Sequence, residues 1–295
     1  MLKGLLIIQK FNGLVIISDI DGTLIENVNA ISFKNLAAIR YFCDNGGLFT
    51  LATGRSVVSA KKYLKAIDSK LPAIFRNGFQ IYSYHNDKIL YTSESQIYPI
   101  NIIQYVLENM PQVGIEIYNN CNMYVVRSNE RVVRHLSKNN REFTVAEIDD
   151  VPLPWSNINF VCDPASLKTL DKKVRTLGCA EKYEVCISSP EFLEMLPKGV
   201  TKGAGLLRLS SLLSVPLCNM ISIGDSENDI SMLEIAGVGV AVGNAIDSVK
   251  AAADYVVADA SNHSIHDLVD KIDSQKIVLS CPKRKNANIP IQIPR

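Results

Sequence analysis

Residues 14–18, Leu-Val-Ile-Ile-Ser, form an unbroken apolar run that stops at Asp19-Ile20-Asp21-Gly22-Thr23. A β-branched run without polar alternation describes a strand buried on both faces, which is the character of strands in a parallel sheet covered by helices. The same grammar repeats. Ser32 reads as the N-cap of a helix over 33–43, ended by Gly46-Gly47. A second strand over 48–52 is closed by Thr53-Gly54-Arg55, a helix covers 56–67, and a third short strand over 72–75 precedes Asn77-Gly78. Strand alternating with helix predicts an α/β fold with a parallel, Rossmann-like sheet. Polar clusters directly follow the strands, and in such sheets ligands bind at the carboxyl ends.

The pattern breaks over 84–188, where short mixed strands and helices fall at 101–109, 114–118, 123–126 and 166–177, with Trp155 beside Pro154 in a loop. This stretch reads as an inserted α+β module. Alternation then returns: a helix over 201–213, a strand over 220–223, a helix over 230–236, a strand over 238–242 closed by Gly243-Asn244, and a last helix over 265–272. The expected organisation is a discontinuous core of 13–83 and 189–272, an insertion at 84–188, and terminal extensions at 1–12 and 273–295.

The chain has 295 residues and a formal net charge of +1, so bulk electrostatics recruits neither nucleic acid nor an anionic membrane. The basic run Lys283-Arg284-Lys285 reads as a solvated tail. Seven cysteines, Cys43, Cys121, Cys162, Cys179, Cys186, Cys218 and Cys281, are scattered without C-x-x-C spacing, which fits reduced thiols in the cytoplasm. The apolar stretch at 4–8 is too short to span a bilayer, and no signal peptide is expected. Either a monomer or a homodimer is compatible with this composition.

Chemistry concentrates in four places: Asp19-x-Asp21, Thr53-Gly54, Lys202 in Val200-Thr201-Lys202-Gly203, and Gly224-Asp225-Ser226-Glu227-Asn228-Asp229. Singly each is weak, since Asp-x-Asp-Gly is often a turn and a Thr-Gly pair a common loop. In this order, after these strands, they resemble the four motifs of the haloacid dehalogenase superfamily. Gly-Asp-x-x-Asn-Asp, with Asn244 beyond it, resembles the Cof-type (IIB) branch, whose cap domain is inserted between the second and third motifs. The likeness spans about 13–271.

The resemblance implies a Mg²⁺-dependent phosphatase acting on a small phosphorylated metabolite, sugar phosphates foremost, through an aspartyl-phosphate intermediate. Asp19 would be the nucleophile, because a carboxylate can form an acyl phosphate. Asp21 would be the general acid and base, protonating the leaving alcohol and then activating water. The metal set would be Asp19, Asp225, Asp229 and the backbone carbonyl of Asp21, since Mg²⁺ takes hard oxygen ligands and relieves repulsion between carboxylate and phosphate. Thr53, Gly54, Lys202 and Asn228 would hold the phosphoryl oxygens. A phosphotransferase or phosphomutase on the same scaffold, or a catalytically silent binding protein, are the alternatives.

Other features carry plainer readings. Arg55 is expected to pair locally, Asn77 and Asn244 to serve turns, and His263 with His266 to be surface residues. Lys198 and Lys182 are rivals of Lys202. Within the insertion, Glu116, Tyr118, Tyr124 and Arg127 are candidates for setting specificity.

Overall fold

The computed structural model describes residues 9–26, 30–119, 122–139 and 142–279. The apolar stretch at 4–8, Cys121, Cys281 and the basic run at 283–285 lie outside the described residues. Five parallel strands form the central sheet in the order Tyr255–Val257, Val238–Val242, Met220–Gly224, Val15–Ser18, Leu48–Leu51. Ile16 packs on one side of the sheet with Phe42, Leu64, Ile221 and Ile223, while Val15 and Ile17 pack on the other with Ile74, Leu206 and Met232. Two buried faces explain the unbroken apolar run, and each fully buried Ile or Leu contributes about 1.5–3 kcal/mol.

Helices form where the sequence places their caps. Ser32 Oγ accepts from Asn35 N to open the helix Phe33–Asp44, Ser56 Oγ accepts from Ser59 N ahead of Val57–Ala66, and Thr201 Oγ1 accepts from Ala204 N ahead of Lys202–Leu213. The helix Asp247–Ala252 and the edge strand Tyr255–Val257 are additional to the expected elements, and both are too short for periodicity to reveal.

The insertion is built on a six-stranded sheet in the order Tyr183–Ser189, Phe192–Pro197, Asn157–Val161, Gly114–Asn119, Asn122–Arg127, Thr144–Val145. Ile115, Ile117, Ile158, Phe160, Leu193 and Met195 pack from this sheet against residues of the helices Ile100–Asn109 and Pro164–Thr176. Trp155, expected in a loop, is buried in this same cluster. Two strands lie on the other side of the expected divisions. Phe192–Pro197, read as core, pairs on both edges within the six-stranded sheet, because a tight reversal after Ser189 folds it onto Tyr183–Ser189. Lys88–Thr92, read as insertion, instead pairs with Gln80–Ser83 in a three-stranded sheet joined to the main one by a bridge from Ala52 to Ile74. Among the described residues, no helix is long and apolar enough to cross a membrane.

Candidate active site

Strand register decides which residues meet. Ser18 stands opposite both Leu51 and Ile223, so all three strands end at the same level. Asp19, Ala52-Thr53 and Gly224-Asp225 therefore emerge side by side on the carboxyl edge. The last ladder bonds fix them there: Asp19 N donates to Ile223 O at 3.0 Å and Ala52 N to Ser18 O at 2.9 Å.

Carboxylate oxygens of Asp19, Asp225 and Asp229 lie within 4.8 Å of one another. Lys202 is fully buried beneath them and donates from Nζ to Asp19 Oδ1 at 2.6 Å and to Asp229 Oδ1 at 2.5 Å. With all three carboxylates ionised, they exceed the one ammonium by two negative charges, which one divalent cation would balance. The hard oxygen donors suit such an ion. Titration directions express the same deficit. Burial raises the Asp19 pKa well above the usual carboxylate range, with Asp229 and Asp225 adding to the rise and Lys202 opposing it. Burial, then the neighbouring Asp229, pushes Asp225 up to about 6. For Lys202 burial pulls downward, but the Asp19 and Asp229 charges outweigh it and the net shift is up. The two carboxylates thus favour its charged form.

The fourth motif is a folded clamp. Asp229 turns its second oxygen, Oδ2, to the backbone N–H groups of Asp225 and Ser226 at 2.9 and 3.0 Å. Asp225 in turn accepts from Thr23 Oγ1 at 2.7 Å and Ser226 Oγ at 2.8 Å. Gly22 has φ +79°, and a Cβ there would stand 2.5 Å from Asp225 Oδ2, so glycine lets the first motif pass beside the fourth. Asn244, expected as a turn residue, does more: it donates to Gly22 O at 2.8 Å and accepts from Ala260 N at 2.8 Å.

The Asp21 carboxylate stands apart from this cluster. It is half exposed and held by Arg55, whose Nε and Nη2 each donate to it at 2.6 Å. Arg55 thus pairs locally, as expected, with a residue of the first motif. Thr53 is buried, and its Oγ1 accepts from Arg55 N at 3.1 Å. Asn228 donates from Nδ2 to Asn77 Oδ1 at 2.9 Å. Lys198 is excluded as a rival of Lys202, since its exposed ammonium lies on Ala180 O and Glu184.

Residues 16–269 match the sequence profile of haloacid dehalogenase-like hydrolases. The chain belongs to this family. It is 27% identical over 235 residues to an HMP-PP phosphatase of Yersinia enterocolitica, covering 79% of this chain and 84% of that one. A 5-amino-6-(5-phospho-D-ribitylamino)uracil phosphatase of Bacillus subtilis, YcsE, is 27% identical over 242 residues, covering 81% and 87%. Among solved structures, a haloacid dehalogenase-like hydrolase from Bacteroides thetaiotaomicron superposes with TM-score 0.70 at 25% identity, covering 88% of this chain and 99% of that one. A subclass IIB sugar phosphatase superposes with TM-score 0.75 at 22% identity, covering 88% and 99%, and shares the fold.

As in other haloacid dehalogenase-like hydrolases of this fold, a cap domain accompanies the core, here the module built on the six-stranded sheet. Of the four cap residues singled out by sequence, two line the sheet's polar face and two do not. Glu116 and Tyr118 are buried on that face. Arg127 instead spends its guanidinium on the carbonyls of Val106, Leu107 and Met110 at the end of Ile100–Asn109, and Tyr124 packs with the apolar cluster on the opposite face. Sequence reasoning missed Asn157, Asn159 and above all Glu194. A charged residue between Leu193 and Met195, both fully buried, was the available signal.

Proposed function

We propose that this chain is a magnesium-dependent phosphatase of small organic phosphates, working through an aspartyl-phosphate on Asp19. It is a phosphoric monoester hydrolase of the Cof-type branch. The observation that carries this reading is the convergence of Asp19, Asp225 and Asp229 over the buried ammonium of Lys202. Asp19, Asp225 and Asp229 are the side chains that would hold Mg²⁺, with the Asp21 carbonyl completing the set; bound there, the ion would neutralise charge between nucleophile and phosphate.

Asp19 attacks phosphorus, while Lys202, Thr53, the Gly54 N–H and Asn228 hold the phosphoryl oxygens. Asp21 gives its proton to the departing alcohol and then takes one from the water that hydrolyses the acyl phosphate. Its placement two residues from the nucleophile and outside the carboxylate cluster supports that role. The relatives named for a phospho-ribityl compound and the subclass IIB sugar phosphatase support sugar or polyol monophosphates as the substrate class. The five described cysteines are free, in keeping with a cytoplasmic location. Release of inorganic phosphate from 4-nitrophenyl phosphate, dependent on Mg²⁺ and lost in Asp19→Asn, tests the reading; activity retained by that variant would refute it.

A further inference from the structure

The turn that carries Asp225 and Asp229 also touches the cap. Its backbone is tightly fixed: Asp229 Oδ2 accepts from Asp225 N and Ser226 N at 2.9 and 3.0 Å, and Asp229 N donates to Ser226 O at 2.9 Å. Asp225, Ser226 and Asp229 all turn their side chains inward, onto the carboxylate cluster or onto the turn itself. Glu227 turns the other way. Its Oε2 accepts from the backbone N of Ile187 at 2.9 Å, and its Oε1 accepts from Arg175 Nη2 at 3.3 Å. Both partners belong to the cap, Arg175 to the helix Pro164–Thr176 and Ile187 to the strand Tyr183–Ser189.

The cap strand is shaped for this contact. Tyr183–Ser189 ends the six-stranded sheet, so among the described residues its outer edge has no strand partner. Its pairing with Phe192–Pro197 passes from Ile187 opposite Leu193 to Ser189 opposite Phe192, and the skipped residue, Ser188, marks a bulge. Bulges bend an edge and re-aim its backbone groups. Here the Ile187 N–H meets a carboxylate, and a charge-assisted bond is the stronger kind. The Arg175 pair is longer and partly exposed, Asp171 already holds Arg175 at 2.8 Å, and such surface pairs add little. Water could satisfy such an edge amide. The acceptor used instead stands, in sequence, between the two proposed cation ligands of the fourth motif.

Resting on the cation site proposed above, we infer that Glu227 is a positioning residue that couples cation binding to the seating of the cap. An ion that draws Asp225 and Asp229 onto itself fixes the turn between them, and the Glu227 carboxylate is thereby held at the Ile187 N–H. Coupling of this kind is reciprocal: the ion tightens the cap's hold by the same factor by which the seated cap tightens the ion's. The consequence for the reaction is that the cap sits most firmly over a site already loaded for phosphoryl transfer. Glu227 acts through the turn and the strand, and in this scheme it touches neither phosphate nor metal.

The test follows hydrogen exchange at the Ile187 amide, resolved by mass spectrometry of overlapping peptides from 183–189, in chelator and in saturating Mg²⁺. A calorimetric Mg²⁺ titration accompanies it. Both are run on the full chain and on its Glu227→Ala and Glu227→Gln variants, with exchange over the buried strand Val15–Ser18 reporting that each is folded. In the native chain, whose response needs no variant, Mg²⁺ should slow Ile187 exchange about tenfold, the worth of one hydrogen bond to a charged group. Glu227→Ala should exchange there at a rate indifferent to Mg²⁺, and its Kd for Mg²⁺ should rise by the same factor. Glu227→Gln, whose amide oxygen still accepts from Ile187 N, should keep most of both effects; their loss in this variant too would trace them to charge and overturn the hydrogen-bond link. A native chain that binds Mg²⁺ by calorimetry yet exchanges Ile187 equally with and without it overturns this inference alone, as does a Glu227→Ala variant slowed as much as the native chain. A chain that binds no Mg²⁺ overturns the cation site and this inference with it.

Discussion

Arg55 grips Asp21 with two hydrogen bonds of 2.6 Å, Nε to Oδ2 and Nη2 to Oδ1. A fork-to-carboxylate pair of this kind fixes orientation as well as charge. It orients Asp21 at the mouth of the crevice, clear of the carboxylates below, and one of the two oxygens must leave Arg55 to carry the proton. A proton donor matters most for a poor leaving group. Arg55→Ala should therefore lower kcat for an alkyl phosphate about tenfold and affect 4-nitrophenyl phosphate far less. Equal losses on both substrates would show that Arg55 does not act through Asp21.

Lys202 balances three carboxylates, and nothing else in the described cluster is cationic. Lys202→Met should abolish activity and, in chelator, cost about 3–5 kcal/mol of stability by stranding buried charge. Mg²⁺ should restore part of that loss, and should stabilise the variant more than it stabilises the native chain. Denaturant unfolding with and without Mg²⁺ measures both. Equal stabilisation of the two proteins would refute the charge-balance account.

The Asp225 carboxyl, raised to about 6 by burial and then by Asp229, sets a pH window. Its folded pKa exceeds the ordinary carboxylate value, so the folded chain holds this proton more tightly than the unfolded chain does. In chelator, stability from this group is fully present below about pH 4 and is lost as pH rises through about 6. A bound cation competes with the proton. The thermal shift on adding Mg²⁺ should thus grow as pH rises from about 5 to about 7. A shift independent of pH across that range would exclude Asp225 as a ligand.

Gly22 stands where the first and fourth motifs touch. In Gly22→Ala the new methyl meets Asp225 Oδ2 at a backbone φ of +79°. Asp225 must give way. The Mg²⁺ concentration for half-maximal activity should rise about tenfold or more, with kcat recovering at saturating ion. Unchanged Mg²⁺ dependence would mean that Asp225 is not part of the cation site.

The core was legible because its information is local. Asp19 and Asp225 each follow a short, fully buried strand, Val15–Ser18 and Met220–Gly224, and parallel register then places strand ends together without further instruction. Lys202 was identifiable for a similar reason: Thr201 caps its helix and small residues follow it. The cap was less legible. Glu116, Asn159 and Glu194 are far apart in sequence and meet only through antiparallel pairing, which no local pattern announces. Arg127, a specificity candidate by residue type alone, instead closes a helix end. Residues 192–197 lead directly into the Lys202 helix in sequence, whereas the strand they form has its partners in the cap.

The central claim is that Asp19 carries the phosphoryl group. Asp21→Asn removes the base that hydrolyses the intermediate, while a good leaving group still departs unaided. Mixing that variant with 4-nitrophenyl phosphate and Mg²⁺, quenching in acid and sequencing the peptides by mass spectrometry measures the adduct directly. The account predicts a phosphoryl group on Asp19 and none when Asp19→Asn is added to the same chain. Release of 4-nitrophenol from the Asp21→Asn variant with no phosphoryl group on Asp19 would contradict it.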